Sequence, residues 1–151
     1  MAKKTLRQNY LPIFLNITDK AILVVGGGTI AYQKITMLKR FTSKIFVIAK
    51  KISEDVRFVE GLKIMEKAYS PSDLENVYLV YACTNNQLIN KKIKRDSRKV
   101  GILANVVDAQ LLCDFITPAI VQVDEAIVAV SSLGRDVKKA IRIRDKIRDM
   151  K

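Results

Sequence analysis

A short aliphatic run, Ala21-Ile22-Leu23-Val24-Val25, leads without a break into Gly26-Gly27-Gly28-Thr29-Ile30-Ala31. An apolar run of this length, without polar alternation, reads as a strand buried on both faces. The next segment has helical spacing, because Ile30, Ala31, Ile35 and Leu38 share one side of a helix. The glycines therefore occupy a strand-to-helix turn. Gly26, Gly28 and Ala31 take the three positions of G-x-G-x-x-G/A. In that spacing the first glycine permits a tight turn and the second lets backbone approach a ligand. The alanine lets helix and strand pack closely. The unpaired N–H groups and the dipole of the helix start favour an anion there.

Such a turn is where a Rossmann fold places the pyrophosphate of a dinucleotide. A glycine-rich turn in some other α/β protein is the alternative, and the legible strand and helix on either side argue against it. Cofactor contacts are expected from Gly26, Gly27, Gly28, Thr29 and Ile30. The second strand-like run, Lys44-Ile45-Phe46-Val47-Ile48-Ala49, ends in Lys50-Lys51 rather than in the acid that would grip a ribose. A basic residue there suits a 2′-phosphate, and it equally suits a solvated loop. The choice between NAD and NADP stays open on these residues.

The chain has 151 residues, of which 49% are apolar, enough for one domain or for a domain with a small appendage. No apolar run approaches transmembrane length. Met1-Ala2-Lys3-Lys4 leads into no signal-peptide core, so a cytoplasmic protein is expected, with no membrane partner. Cys83 and Cys113 sit in apolar segments and read as buried, inert thiols of a reducing compartment. No metal-binding cysteine pattern is present, and no metal site is expected. Histidine is absent, which excludes histidine bases, histidine metal ligands and Ser-His-Asp chemistry. A general base must then be Asp, Glu, Lys, Tyr or Cys. The formal net charge of +12 concentrates in Lys91-Lys92-Ile93-Lys94-Arg95 and between Lys138 and Lys151. Nucleic acid, a polyanionic small molecule and solvated helix faces each account for that bias. No nucleic-acid-binding signature accompanies it, so nucleic acid is not expected as a partner.

Along the chain, Tyr10 to Leu15 is apolar enough to pack on a sheet. Strand 21–25, a helix over about 29–40 and a strand over about 44–49 come next. A short helix is expected within 50–61 and a strand at Leu62–Met65. Ser70-Pro71 reads as a capped helix start. Val77–Cys83 is the next buried strand. A helix over about 86–99 comes after it, with Leu88, Ile89 and Ile93 inward, and then a strand at Gly101–Asn105. This alternation predicts an open, doubly wound, mostly parallel sheet with helices on both faces, spanning residues 1–112. After Asp108 the pattern changes. Phe115–Val123 and Ala126–Ser131 flank a short acidic turn at Asp124-Glu125 and read as a β-hairpin. A basic amphipathic helix starts near Asp136, with Val137, Ala140, Ile141 and Ile147 apolar. A hairpin and one helix bury little surface alone. Residues 113–151 are therefore expected to form a dimerisation region, making a homodimer.

In open parallel sheets, ligands bind beyond the carboxyl ends of the strands. Thr84 and Asn105 fall there as candidate cofactor contacts, and a helix cap is the other role open to Thr84. Asp108 is the one acid at the mouth of its strand and the best candidate for a general base. A turn or capping aspartate is its competing role.

Five segments, in this order, resemble the precorrin-2 dehydrogenases of sirohaem biosynthesis. They are Leu11-Pro12-Ile13-Phe14, Val24-Val25-Gly26-Gly27-Gly28-Thr29-Ile30-Ala31, Ala82-Cys83-Thr84-Asn85-Asn86 with Asn90, Asn105-Val106-Val107-Asp108, and Cys113-Asp114-Phe115-Ile116-Thr117-Pro118-Ala119-Ile120. The resemblance spans about residues 10–147. It implies NAD-dependent oxidation of precorrin-2, an anionic tetrapyrrole, to sirohydrochlorin. Some members also insert Fe²⁺. It further implies an acid–base role for Asp108, cofactor contacts at Gly26 to Gly28 and a dimer built by the hairpin region. Two departures are visible. Where the family has G-G-x-S-P, this sequence reads Leu133-Gly134-Arg135-Asp136-Val137. Many members also continue past the equivalent of Lys151 into a helical segment that covers the cleft, so altered substrate affinity or chelatase activity is expected. No fused methyltransferase domain is expected. A non-catalytic dinucleotide sensor is the rival interpretation. It would carry an acid where Lys50 stands and would not need Asn105–Asp108 followed by the Pro118 hairpin.

Overall fold

The computed structural model describes residues 9–150. Five strands, β1 (Ala21–Val25), β2 (Ile45–Ala49), β3 (Lys63–Glu66), β4 (Val77–Ala82) and β5 (Leu103–Val106), make one sheet in the order β3-β2-β1-β4-β5. Every adjacent pair is parallel. The connections carry α1 (Thr29–Leu38), α2 (Glu54–Arg57), a 3₁₀ turn at Pro71–Leu74 and α3 (Gln87–Lys99). Chain order reverses between β1 and β4, which opens the crevice typical of a Rossmann-like sheet.

Alternation along each strand sends successive side chains to opposite faces. On one face Leu23, Val25, Ile48, Val80, Ala82 and Ala104 pack with Leu74 and with Ile93 of α3. The other set, Ile22, Val24 and Val47, is as deeply buried, together with Ala31, Ile35 and Leu38 of α1. Each fully buried Val, Leu or Ile contributes about 1.5–3 kcal/mol. This double covering is why the strands read as continuous apolar runs.

The parallel-sheet unit covers Pro12–Asp114, and a second compact unit joins the described residues 9–11 to the chain from Phe115 onward. The latter consists of an antiparallel hairpin, β6 (Ala119–Val123) and β7 (Ala126–Val130), with α4 (Val137–Arg148) packed on it. Asp124 turns the hairpin with φ 51°, the left-handed geometry that two-residue turns require. Asp136 caps α4, its side chain accepting from the Lys139 N–H at 2.8 Å. No helix of the described residues is long and apolar enough to cross a membrane.

Several local expectations fail for identifiable reasons. Leu88 points outward and is 76% exposed. Ile89 and Ile93, four apart, define the inward stripe, and Leu88 lies one residue off it. Leu11, Ile13 and Phe14 are exposed at 81%, 62% and 75% rather than packed on the sheet. Both faces of the sheet are already filled by α1 and α3. Ser70-Pro71 opens only a single 3₁₀ turn, with the Ser70 N–H donating to Asp73 Oδ2 at 2.7 Å. The first hairpin strand starts at Ala119, so Phe115–Pro118 is not strand. Cys83 is buried, whereas Cys113 is only half-buried.

Candidate functional site

The turn after β1 is shaped by what its glycines touch. Gly26 has φ +134°, and a Cβ there would collide with the Cys83 carbonyl of the neighbouring strand end. A Cβ on Gly27 would overlap the Lys51 carbonyl oxygen. The Ser53 N–H donates to the Gly27 carbonyl at 2.8 Å, so the turn is laced to the segment after β2. Gly28 differs. It has φ −99°, and a Cβ there would meet nothing within 4 Å. Gly28 is also the N-cap of α1, and no side chain caps that helix. The first-turn N–H groups, carried by Thr29 and Ile30 among others, therefore lack the satisfaction a cap supplies.

Gly26, Gly27 and Gly28 line a cavity of about 700 Å³ at the carboxyl ends of the strands. Its other walls come from Ala49–Lys51 after β2, Lys67–Tyr69 after β3, Cys83–Asn86 after β4, and Ile89 and Lys92 of α3. The lining contains four lysines and no aspartate or glutamate. Open space at Gly28, an uncapped helix start and basic walls together fit a dinucleotide pyrophosphate.

Thr84 lies on this wall, but its polar groups serve the β4–α3 turn. Its Oγ1 stands 2.6 Å from Asn90 Oδ1, its N–H donates to the same oxygen at 3.2 Å, and Asn90 Nδ2 donates to the Thr84 carbonyl at 2.9 Å. The cap of α3 is Asn86, which accepts from the N–H groups of Leu88 and Ile89. Neither Asn105 nor Asp108 lines the cavity. Asn105 sits within β5, buried, with its Nδ2 3.7 Å from Cys113 Sγ. It does not stand beyond the strand end. Cys113 folds the following turn back on β5, accepting from the Val106 N–H at 3.2 Å.

Asp108 occupies the turn after β5, exposed and with φ 59°. The Val107 N–H donates to the Ala82 carbonyl at 3.0 Å, which ties this turn to the end of β4. The neighbouring Cys83 thiol is pushed up to about 12, chiefly by burial. Lys34 of α1 opposes that rise, and the Asp108 carboxylate adds to it. A solvent-open carboxylate thus lies within electrostatic reach of Cys83, whose carbonyl abuts Gly26. Cys83 itself is a poor base or nucleophile, since it remains a protonated thiol at neutral pH.

Lys67, Tyr69 and Lys92 were not expected at this site. Lys92 Nζ lies 5.0 Å from the Tyr69 ring centre and 2.9 Å from Asp96 Oδ2, and the Tyr69 hydroxyl donates to the same carboxylate oxygen at 3.3 Å. Burial pushes the Asp96 carboxyl up, but Lys92, Tyr69 and Arg95 together hold it below the usual carboxylate range. Burial, reinforced by Asp96, raises the Tyr69 phenol. No local sequence signal marks these residues, because strand pairing brings them in: Ala49 pairs with Glu66, so the segment leaving β3 flanks the segment leaving β2.

The comparisons with known proteins agree with this geometry. Residues 13–119 match the family described as "Putative NAD(P)-binding". The siroheme synthase of Vesicomyosocius okutanii is 39% identical over 142 residues, 92% of this chain and 30% of that protein. Siroheme synthase 1 of Cronobacter sakazakii is 36% identical over 144 residues, 93% of this chain and 31% of that protein. The chain thus spans about 30% of the length of these relatives. Among solved structures, "SirC, precorrin-2 dehydrogenase" superimposes with a TM-score of 0.81 at 26% identity, covering 93% of this chain and 70% of that one. With the glycine turn, the parallel sheet and a family match over most of its length, this chain belongs to the "Putative NAD(P)-binding" family.

Proposed function

We propose that this chain is an NAD-dependent precorrin-2 dehydrogenase that forms sirohydrochlorin in sirohaem biosynthesis, working as a cytoplasmic homodimer. The carrying observation is Asp108, an exposed carboxylate in the turn after β5, tied through Val107 to the strand end that abuts the glycine turn. NAD, when bound, supplies the hydride acceptor. Gly28 and the first turn of α1 bind and orient its pyrophosphate, and Asp108 takes the proton that the macrocycle must release alongside the hydride. With no histidine in the chain, a carboxylate is the natural base. The basic surface suits a carboxylate-rich tetrapyrrole. Both the curated relatives and the solved neighbour are named for steps of this chemistry.

Fe²⁺ insertion into sirohydrochlorin also requires proton removal, from pyrrole nitrogens, and the same Asp108 suits it. Iron enters this reading as a substrate. Among the described residues no group of three His, Cys, Asp or Glu side chains is placed to hold a metal.

Two features support the dimer. Among the described residues of the hairpin–helix unit only Val121 and Ala140 are buried, while Ile127, Val137, Ile141 and Ile143 stay exposed. Those apolar positions form the surface that a second copy would cover. The cytoplasmic assignment is in keeping with two unpaired cysteines.

The test is Asp108→Asn assayed with precorrin-2 and NAD by the absorption of sirohydrochlorin. Asparagine tolerates the left-handed φ, so folding and dinucleotide binding should persist. Turnover should fall by about 10²–10⁴-fold. Wild-type turnover would remove Asp108 from the reaction, and proton loss to water would then be the better account.

A further inference from the structure

β5 is an edge strand of the sheet, so the outward N–H and carbonyl groups of Ala104 and Val106 have no further strand to pair with. Two consecutive residues take that place. The Asp114 N–H donates to the Ala104 carbonyl at 2.9 Å, and the Ala104 N–H donates to Asp114 Oδ2 at 2.9 Å. Cys113 Sγ accepts from the Val106 N–H and its thiol reaches the Val106 carbonyl, both at 3.2 Å. The Asp114 carboxylate also forms a partly buried ion pair with Lys94 of α3.

Residues 107–112 therefore leave the edge of β5 and are brought back to it. Asp108 lies in this loop at φ 59°. A left-handed φ at a non-glycine residue persists where the surroundings fix it. Among the described residues no hydrogen bond or ion pair holds the Asp108 carboxylate itself, so the loop backbone sets where it stands. That backbone is fixed at both ends. The Val107 N–H ties the start to the Ala82 carbonyl at 3.0 Å, and Asp114 ties the end to β5 and to α3. Lys94 follows Lys92 on the helix that walls the dinucleotide cavity, so α3 anchors both the cavity wall and the loop.

We propose that Asp114 is a positioning residue for the dehydrogenation. By clasping the end of the 107–112 loop to Ala104 and Lys94, it holds the Asp108 carboxylate where it accepts the proton released by the tetrapyrrole. This rests on the reading of Asp108 as the base and adds the device that places it. The test is a double-mutant cycle of D114A and D108N in the full chain. It is read as kcat at saturating precorrin-2 and NAD⁺, with calorimetric NAD⁺ affinity and a thermal melt for each variant. D114A should lower kcat by about tenfold or more, as expected for a misplaced reacting group, while NAD⁺ affinity stays within about twofold. In the D108N background the same substitution should change kcat by less than about twofold, because the group that Asp114 positions is gone. Wild-type kcat in D114A, or an equal loss in both backgrounds, overturns the proposal and leaves Asp108 as the base. A loss of NAD⁺ affinity that matches the loss of kcat does the same. Wild-type turnover in D108N removes the base and the proposal together. If D114A does not fold, D114N, which keeps an oxygen for the Ala104 N–H, replaces it under the same criteria. A D114N that does not fold either assigns Asp114 to stability alone and overturns the proposal.

Discussion

Between Pro12 and Asp114 the strands are covered on both faces, and Ile22, Val24, Val47, Ile48, Val80 and Ile93 are all 0% exposed. From Phe115 onward the chain has comparable apolar content but a different outcome. Its hairpin and helix bury only Val121 and Ala140 fully. The contrast comes from layering. A parallel sheet sandwiched between helices encloses its own core, whereas one hairpin against one helix has a single inner surface and leaves the rest open. The first region should tolerate changes at its ligand-facing edge and not at its buried turns. The second should respond most to changes on its outside.

The sharpest way to break that comparison lies within three consecutive glycines. Gly26→Ala combines a φ of +134° with a collision against the Cys83 carbonyl. It should cost about 3 kcal/mol or more of stability in a denaturant titration. Gly28→Val, by contrast, places its side chain in open space at an ordinary φ. The melting temperature should be nearly unchanged while calorimetric dinucleotide affinity falls about tenfold or more, since the branched side chain occupies the approach of the pyrophosphate. Unchanged affinity in a folded Gly28→Val protein would move the phosphate elsewhere.

A smaller effect is expected in the second region. Val137→Asp with Ile141→Asp puts charge on positions already 63% and 38% exposed. Such changes should alter the fold of one copy by less than about 1 kcal/mol. They should nevertheless convert a dimer into a monomer in sedimentation equilibrium. A dimer that survives both substitutions would mean that the open face of α4 is not the contact.

The smallest change concerns the stretch where a family glycine is replaced. Leu133 is held at φ 55°, beside Gly134 at φ 76°. A left-handed non-glycine residue costs about 1–2 kcal/mol, and glycine gives back about 0.5–1 kcal/mol through unfolded-state freedom. Leu133→Gly should therefore raise stability by up to about 1.5 kcal/mol, measured as a shift in the denaturation midpoint. The missing serine and proline of the same stretch have a visible replacement. The Asp136 N–H donates to Ser132 Oγ at 2.9 Å, and the Asp136 carboxylate caps α4.

Local periodicity and backbone demands were legible from the residues alone. The β1 run and the i, i+4 spacing of Ala31 and Ile35 specify a buried strand and a helix whatever surrounds them. Gly26 sits where only glycine fits, and the hairpin turn at Asp124-Glu125 stands out between two apolar runs. These depend on neighbours within about one helical turn or one hairpin, so a single sequence contains them. Membership of the site does not reduce to such neighbours. Lys67, Tyr69 and Lys92 join Gly28 on one cavity only because β3 lies beside β2 and α3 crosses next to β4. Asn105, expected at the strand mouth, lies inside β5 against Cys113. Leu88 faces water because the stripe through Ile89 and Ile93 is set by what α3 packs on. Asp108 was named as an acid after a strand, but its left-handed turn and its proximity to Cys83 depend on β5 pairing with β4. Residues distant along the chain become neighbours through the lateral order of strands, and that order is a product of the whole core closing at once.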